Sequence, residues 1–413
     1  MIPRWLSALA ALAALVAFAA FGSLVSPSAA AAPVTGHPIT GSVDLHAHLF
    51  FSEGLGIGLW NHGFSTEVLS PSWNWTYQAR VNAEALEQSG AAIVVVALYA
   101  HPLAPASWSG GNRAAIRRQL AAVDTFLTTH SGWGLARSSR EARTLLESGR
   151  KALVLQIEGA GGILETPEDV REFVDTRGVR LVTLHHFTDD ALGGAAFMRG
   201  FRAVVNPLAW IRSGFGRINS NGLAPDGQRV ARELLRRGVW LDLSHASDAA
   251  QRDLIQLLPR DPNGGVPPIL YTHTILRQFY DCERGITGEQ LELVKKSGGM
   301  VGILPSSDML AGTPGTPAGC GSGAAALLTQ TQIFLKDLAP DQISLGSDTN
   351  APISFLAPGD AVSCPGDEAR DWAQYGELGR LWRLLEERTP LRAERSLEHF
   401  LRAWARWEQQ TQS

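Results

Sequence analysis

The sequence predicts an α/β chain folded as a (β/α)8, or TIM, barrel with long mouth loops and extra C-terminal helices. Two observations carry that reading. Eight short apolar runs alternate with helical stretches, and His46, His48, Glu158, His186, His245, His273 and Asp348 stand at the downstream ends of six of those runs. The C-terminal ends of parallel barrel strands share one mouth, so residues hundreds of positions apart can meet there.

The expected strands are SVDLHAH (42–48), AIVVVALY (92–99), ALVLQIEG (152–159), RLVTLHHF (180–187), VWLDLSHAS (239–247), PILYTHT (268–274), GMVGILP (299–305) and QISLGSD (342–348). Most are continuous and rich in Val, Ile and Leu, the pattern of parallel strands covered on both faces. The stretches between them carry helical signals. TPEDVREFVDTRG (166–178) opens on a Thr cap and an acidic first turn, and APDGQRVARELLRRG (224–238) closes on Gly. No repeat of about 20 to 50 residues is present, which argues against a solenoid.

With 45% hydrophobic residues, 18% charged residues and a net charge of −4, the chain can bury a large core. It has no basic patch interleaved with aromatics, so nucleic acid is not an expected partner. Residues 33–413 exceed the roughly 250 positions of a minimal barrel, leaving room for long loops in a single domain. Residues 1–32 differ in kind. Arg4 precedes an apolar run from Trp5 to Val25, and SPSAAAAP then offers a small-residue cleavage site around Ala29 to Ala32. This predicts a secretory signal peptide and a secreted or periplasmic protein. The run is also about long enough to span a bilayer, so anchoring by an uncleaved N-terminus is the alternative. No Cys near the cleavage region offers a lipoprotein anchor. Of Cys282, Cys320 and Cys364, the last two fall in the loops after the seventh and eighth expected strands, where they could pair in an oxidising compartment or stay as thiols.

His46 and His48 share a face of their strand and can bind one cation. Either alone would read as a satisfied histidine. With His245 and His273 at equivalent strand ends, four imidazoles converge where only a cation or carboxylates would hold them. Glu158 is a candidate bridging ligand, and Asp348 a candidate acceptor for a proton from an attacking water. Acids after strands also serve as helix caps, and both positions keep that alternative.

DLSHAS (242–247) followed by YTHT (271–274), with QIEG (156–159) upstream and LGSD (345–348) downstream, resembles the membrane dipeptidase (renal dipeptidase) family of metal-dependent amidohydrolases. The motifs span the chain from about Ser42 to Asp348. The resemblance implies two divalent ions, zinc in that family, at the mouth of a TIM barrel, activating water to hydrolyse a dipeptide. It implies metal-ligand roles for His46, His48, Glu158, His245 and His273, with Glu158 bridging, and a proton-handling role for Asp348. It further implies that His186, rather than His185, contacts the substrate and its developing oxyanion. Arg284, in DCERGITGEQL, falls on the family's partner for the substrate carboxylate, although it would also pass for a surface arginine; a guanidinium suits that role because it binds both oxygens at once.

There are departures from the family pattern. The first strand carries HAH where the family generally has HxD, one negative charge fewer. GILPSS lacks the tyrosine expected after the seventh strand, and 195–222 is longer and more basic than the motif requires. Two alternatives therefore stand beside a dipeptidase: the same hydrolase acting on another amide or a lactone, and a non-catalytic secreted binding protein on the same barrel. NHGFSTEVLSPSWNW (61–75) and SSDMLAGTPGTPAGCGSGAAA (306–326) are expected to be mouth loops.

Overall fold

The eight apolar runs do form strands, and the strands close on themselves. The computed structural model describes residues 39–51, 81, 83–100, 110–200, 205–314, 323–350, 356, 372 and 375–411. His37–Ser413 forms one compact unit. The strands are β1 (Ser42–Ala47), β2 (Ala91–Tyr99), β3 (Trp133–Leu135), β4 (Lys151–Glu158), β5 (Val179–Thr183), β6 (Trp240–Asp242), β7 (Leu270–Thr274), β8 (Met300–Ile303) and β9 (Ile343–Leu345). All pairings are parallel, in the order β2-β1-β9-β8-β7-β6-β5-β4, and β2 pairs with β4 to complete an eight-stranded barrel.

The ninth strand, β3, was not expected from the sequence. It pairs with Lys151 to Leu153 at the start of β4, while β5 takes over from Leu155 onwards. It therefore lengthens the wall at the barrel's N-terminal end and leaves the mouth unaltered.

Helices follow the strands, and Thr166 caps the first turn as the sequence signals. Thr166 and Asp169 form a reciprocal capping box, Ser247 Oγ accepts from the Ala250 amide, and Thr287 pairs with Gln290 in a second box. The helix expected over 166–178 starts at Pro167 and winds as a π-helix from Arg171 to Thr176. The C-terminal helices, Leu378–Arg388 and Ala393–Thr411, are present. The second crosses the floor of the barrel, stacking Phe400 and Trp407 on Trp240 at 5.8 and 6.0 Å, with Ser396 Oγ donating to the Ile343 carbonyl at 2.6 Å. With the floor sealed, the mouth is the end left for chemistry. No helix among the described residues is long and apolar enough to cross a membrane.

Close approach of β7, β8 and β9 requires glycine. A Cβ on Gly302 or on Gly346 would overlap the Thr272 carbonyl oxygen, a backbone atom that cannot swing away. Gly302→Ala should cost about 1–3 kcal/mol, as overpacking typically does. Thermal unfolding of the variant would show this as a lowered Tm, and an unchanged Tm would mean the strands separate freely.

Candidate metal centre

Six strand ends place their polar residues around one carboxylate. Glu158 closes β4 and is 1% exposed. From β1, His46 Nε2 lies 3.3 Å from Glu158 Oε1 and His48 Nε2 lies 3.2 Å from Oε2, because alternate strand residues share a face. From across the barrel, His245 and His273 bring Nε2 to 3.2 and 3.4 Å from Oε1 and to 2.9 Å from each other. His186 Nε2 stands 3.6 Å from Oε2. After β9, Asp348 Oδ1 lies 3.1 Å from His48 Nε2 and 3.7 Å from His46 Nε2.

The backbone is bent to achieve this. His245 (φ 65°), Asp348 (φ 51°) and Asn350 (φ 71°) occupy the left-handed region, which costs a non-glycine residue free energy. Hydrogen bonds hold the bends. The Ala196 amide donates to the His245 carbonyl at 2.7 Å, Asp348 N to His46 O at 2.8 Å, and His48 N to Thr349 O at 2.9 Å. The last two bonds lock the ends of β1 and β9 together.

Electrostatics divide the imidazoles into two kinds. Burial opposes ionisation of Glu158, but the imidazoles around it hold it well below the usual carboxylate range. Burial also opposes a charge on His48, yet the Asp348 and Glu158 carboxylates beside its Nε2 outweigh that and push it up to about 9. His46 is raised against burial by Glu158. Burial, reinforced by Arg284, depresses His245 to about 4 and leaves His273 well below its ordinary value. His186 is likewise held neutral, by burial.

These residues fit a divalent cation. Neither oxygen of Glu158 receives a well-formed hydrogen bond, and His46 Nε2 and Asp348 Oδ1 are in the same position although buried. Such orphaned polar atoms are costly unless something positive lies between them. Three sets bring their ligand atoms within 4.8 Å: His46, His48 and Glu158; Glu158, His186 and His245; and His46, His273 and Asp348. Imidazole nitrogen with carboxylate oxygen is a donor set suited to zinc and neighbouring transition ions.

All eight residues singled out in the sequence meet here, Arg284 included. It is 4% exposed; Nη2 donates to the His273 carbonyl at 3.0 Å and lies 3.0 Å from His245 Nε2, while its Nε has no acceptor. It is therefore no surface arginine. His185, the neighbour of His186, is fully buried and takes no place in these clusters. The sequence reading missed Tyr99, the last residue of β2, whose ring stands edge-on to His186 at 4.5 Å and to His48 at 5.6 Å. It also missed the clamp beside Arg284. Cys282 donates to Phe197 O, and Glu283 accepts from the amides of Phe197, Asn219 and Asp248 at 2.9, 2.8 and 2.8 Å. This fastens both ends of the long 195–222 segment to the site. Residues 61–75, Cys320 and Cys364 lie outside the described residues.

With that geometry in place, comparison with known proteins is informative. The model of the membrane dipeptidase family, peptidase family M19, matches residues 65–343. The chain belongs to that family. Among relatives of this family member, dipeptidase verJ of Clonostachys rogersoniana is 26% identical over 187 residues, 45% of this chain and 42% of its own length. Dipeptidase 3 of Mus musculus is 25% identical over 201 residues, covering 48% and 36%. The chain thus matches less than half the length of each. Among solved structures, a metallopeptidase from Rhodobacter sphaeroides, liganded with a phosphinate mimic of L-Ala-D-Ala, superposes with TM-score 0.65 at 18% identity over 89% of this chain and 99% of that one. The probable dipeptidase PvdM of Pseudomonas aeruginosa gives 0.64 at 15% identity over 90% and 96%. At those identities the likeness establishes the TIM-barrel fold.

Glu283 gives a prediction with a sign. Burial raises its carboxyl from 4.5 to about 7 in spite of the three backbone donors. A raised folded-state value means its contribution to stability is fully present below about 4.5 and is lost as pH rises through about 7. Glu283→Gln removes this titration and leaves at least one amide without an acceptor, at a cost of about 1–3 kcal/mol. The Tm gap between wild type and variant should therefore narrow from pH 4.5 to 7, and a pH-independent gap would reject the assignment.

Proposed function

We propose that this protein is an exported metal-dependent dipeptidase, in which water adds to the scissile carbonyl carbon and the C–N bond breaks to release two amino acids. The observation that carries the reading is the convergence of five imidazole Nε2 atoms on Glu158 with the buried Arg284 beside them. His46, His48 and Glu158, together with His245 and His273 sharing Glu158, would hold two divalent cations, zinc by preference; when bound, these supply the Lewis acidity that lets water react at neutral pH.

The chain's own residues do the rest. Arg284 offers an unoccupied Nε–H to the substrate's terminal carboxylate, fixing which bond lies over Glu158. Asp348 takes the proton that the attacking water loses and passes it to the departing amine, keeping the step balanced. His186, held neutral, donates to the oxygen on which negative charge develops, a contribution of about 3 kcal/mol in comparable sites. Tyr99 packs on the His48 and His186 rings and holds their orientation.

The HAH of β1 favours a second reading, hydrolysis of another amide or a lactone, because a cation pair with fewer negative ligands is the more electrophilic. A panel of dipeptides, dipeptide amides and N-acyl amino acids, run with metal analysis, separates the two. Dipeptidase action requires turnover that disappears when the C-terminal carboxylate is amidated. Protein holding well under one ion per chain after metal supplementation would remove both readings and leave a binding protein. Export rests on Arg4, the apolar run to Val25 and the AAAAP that follows; a mature N-terminus near Ala30 to Pro33 is expected from sequencing, and an intact Met1 in membranes would favour the anchored form.

Substitutions should separate ligation from proton transfer. Glu158→Gln should lose both ions together. His245→Ala and His273→Ala should lose metal along with activity. Asp348→Asn keeps size and hydrogen bonding but not the basic oxygen, so kcat should fall about 10²-fold or more with metal content nearly unchanged. Normal turnover by Asp348→Asn would reassign the proton acceptor.

A further inference from the structure

Beneath the cluster, inside the barrel, lies a second carboxylate that no role above uses. Asp242 ends β6, three residues before His245, and is 1% exposed. Its Oδ1 accepts from the amides of Ser244 and Thr272, each at 3.0 Å. Its Oδ2 accepts from Gln156 Nε2 at 2.9 Å, Thr183 Oγ1 at 2.8 Å and Thr272 Oγ1 at 2.6 Å. Five donors point at one side chain.

Two of those donors continue to imidazoles. Thr272 Oγ1 has one proton and commits it to Asp242, so towards His273 Nδ1, 2.9 Å away, it can only accept. Nδ1 must carry the hydrogen, which leaves the Nε2 lone pair facing Glu158. Gln156 Nε2 gives its two hydrogens to Asp242 and to Thr183 Oγ1, the latter at 2.8 Å, so the amide cannot turn over. Its oxygen therefore faces His46 Nδ1 at 2.9 Å, and that ring too holds its hydrogen on Nδ1.

We propose that Asp242 is a positioning residue that sets the tautomers of His46 and His273 together, through Gln156 and Thr272, so that both Nε2 lone pairs are turned to the mouth before any cation arrives. The tautomer assignment stands on hydrogen bonding alone; its consequence for metal affinity rests on the reading of the site given above. Indirect partners of this kind commonly change affinity by about 10–100-fold.

Asp242→Asn tests it. The amide nitrogen that replaces Oδ2 would face three donors, and relief requires the Thr272 hydroxyl and the Gln156 amide to reverse, which drives the hydrogens of His46 and His273 to Nε2. Histidine 15N NMR of the metal-free protein should show Nδ1–H tautomers at both positions in wild type and Nε2–H tautomers in the variant. Zinc titration should show affinity reduced about 10–100-fold. Asp44→Asn is the control: it alters another buried carboxylate, bonded to Ser347, Tyr375 and the His46 amide but to no imidazole nitrogen, and should leave both tautomers in place. Should Asp242→Asn not fold, Thr272→Val should shift the His273 tautomer, while Gln156 Oε1 at 2.9 Å keeps that of His46, which lies 3.4 Å from the lost hydroxyl. Unchanged tautomers in a folded Asp242→Asn or Thr272→Val would overturn the proposal. Failure of wild type to bind zinc would instead overturn the metal reading, with the NMR result still deciding the role of Asp242.

Discussion

A carboxylate buried at the end of β4 without a well-formed hydrogen bond is the constraint around which the mouth is arranged. Glu158 could not stay ionised in a dry barrel unless positive charge or acidic N–H groups surrounded it. Five imidazoles and a guanidinium from β1, β5, β6, β7 and their loops do so, with β1 delivering two of the imidazoles. The left-handed backbone at His245 and Asp348 follows from the same demand. A strand continuing in regular geometry would carry those side chains past the mouth, and the bends turn them in.

The dependence runs downwards as well. Asp44 and Asp242 bring two further carboxylates into the barrel interior, but both are saturated by hydroxyls and amides, whereas Glu158 and one oxygen of Asp348 are not. That contrast separates the acids whose oxygens are all engaged from those left open at the mouth. Burial still pushes the Asp44 carboxyl up to about 6. The four donors around it limit that rise.

The strands were legible because a parallel strand covered on both faces must be apolar along its whole length, as AIVVVALY and ALVLQIEG are. The three residues of β3 carry too short a run to register, and the π-helical second half of 167–176 has no signature separate from an α-helix. At the site, positions at strand ends could be read from the barrel's convergence alone. Gln156, Thr183, Thr272 and Asp242 could not, although each stands in or beside a quoted motif. Their roles depend on the register between β4, β5, β6 and β7, which pairs Thr183 with Asp242 and Asp242 with Leu270. Glu283 was hidden for a similar reason, since its partners lie 35, 64 and 86 positions earlier in the chain.

The histidine at position 48 is where this chain parts from its family, and the geometry shows what the exchange does. His48 Nε2 lies within 3.2 Å of both Glu158 and Asp348, so a third carboxylate there would set three like charges around one point. Imidazole keeps a nitrogen in place while removing that repulsion. The same change takes one negative charge from the groups that would hold a divalent cation, so a cation bound there would be held less tightly and would polarise a carbonyl more strongly. His46, His48 and Asp348 also fall outside the span that matches the family model, 65–343. They reach the cluster because β1 and β9 are neighbours in the closed barrel, so barrel closure as well as the shared central motifs brings these side chains together.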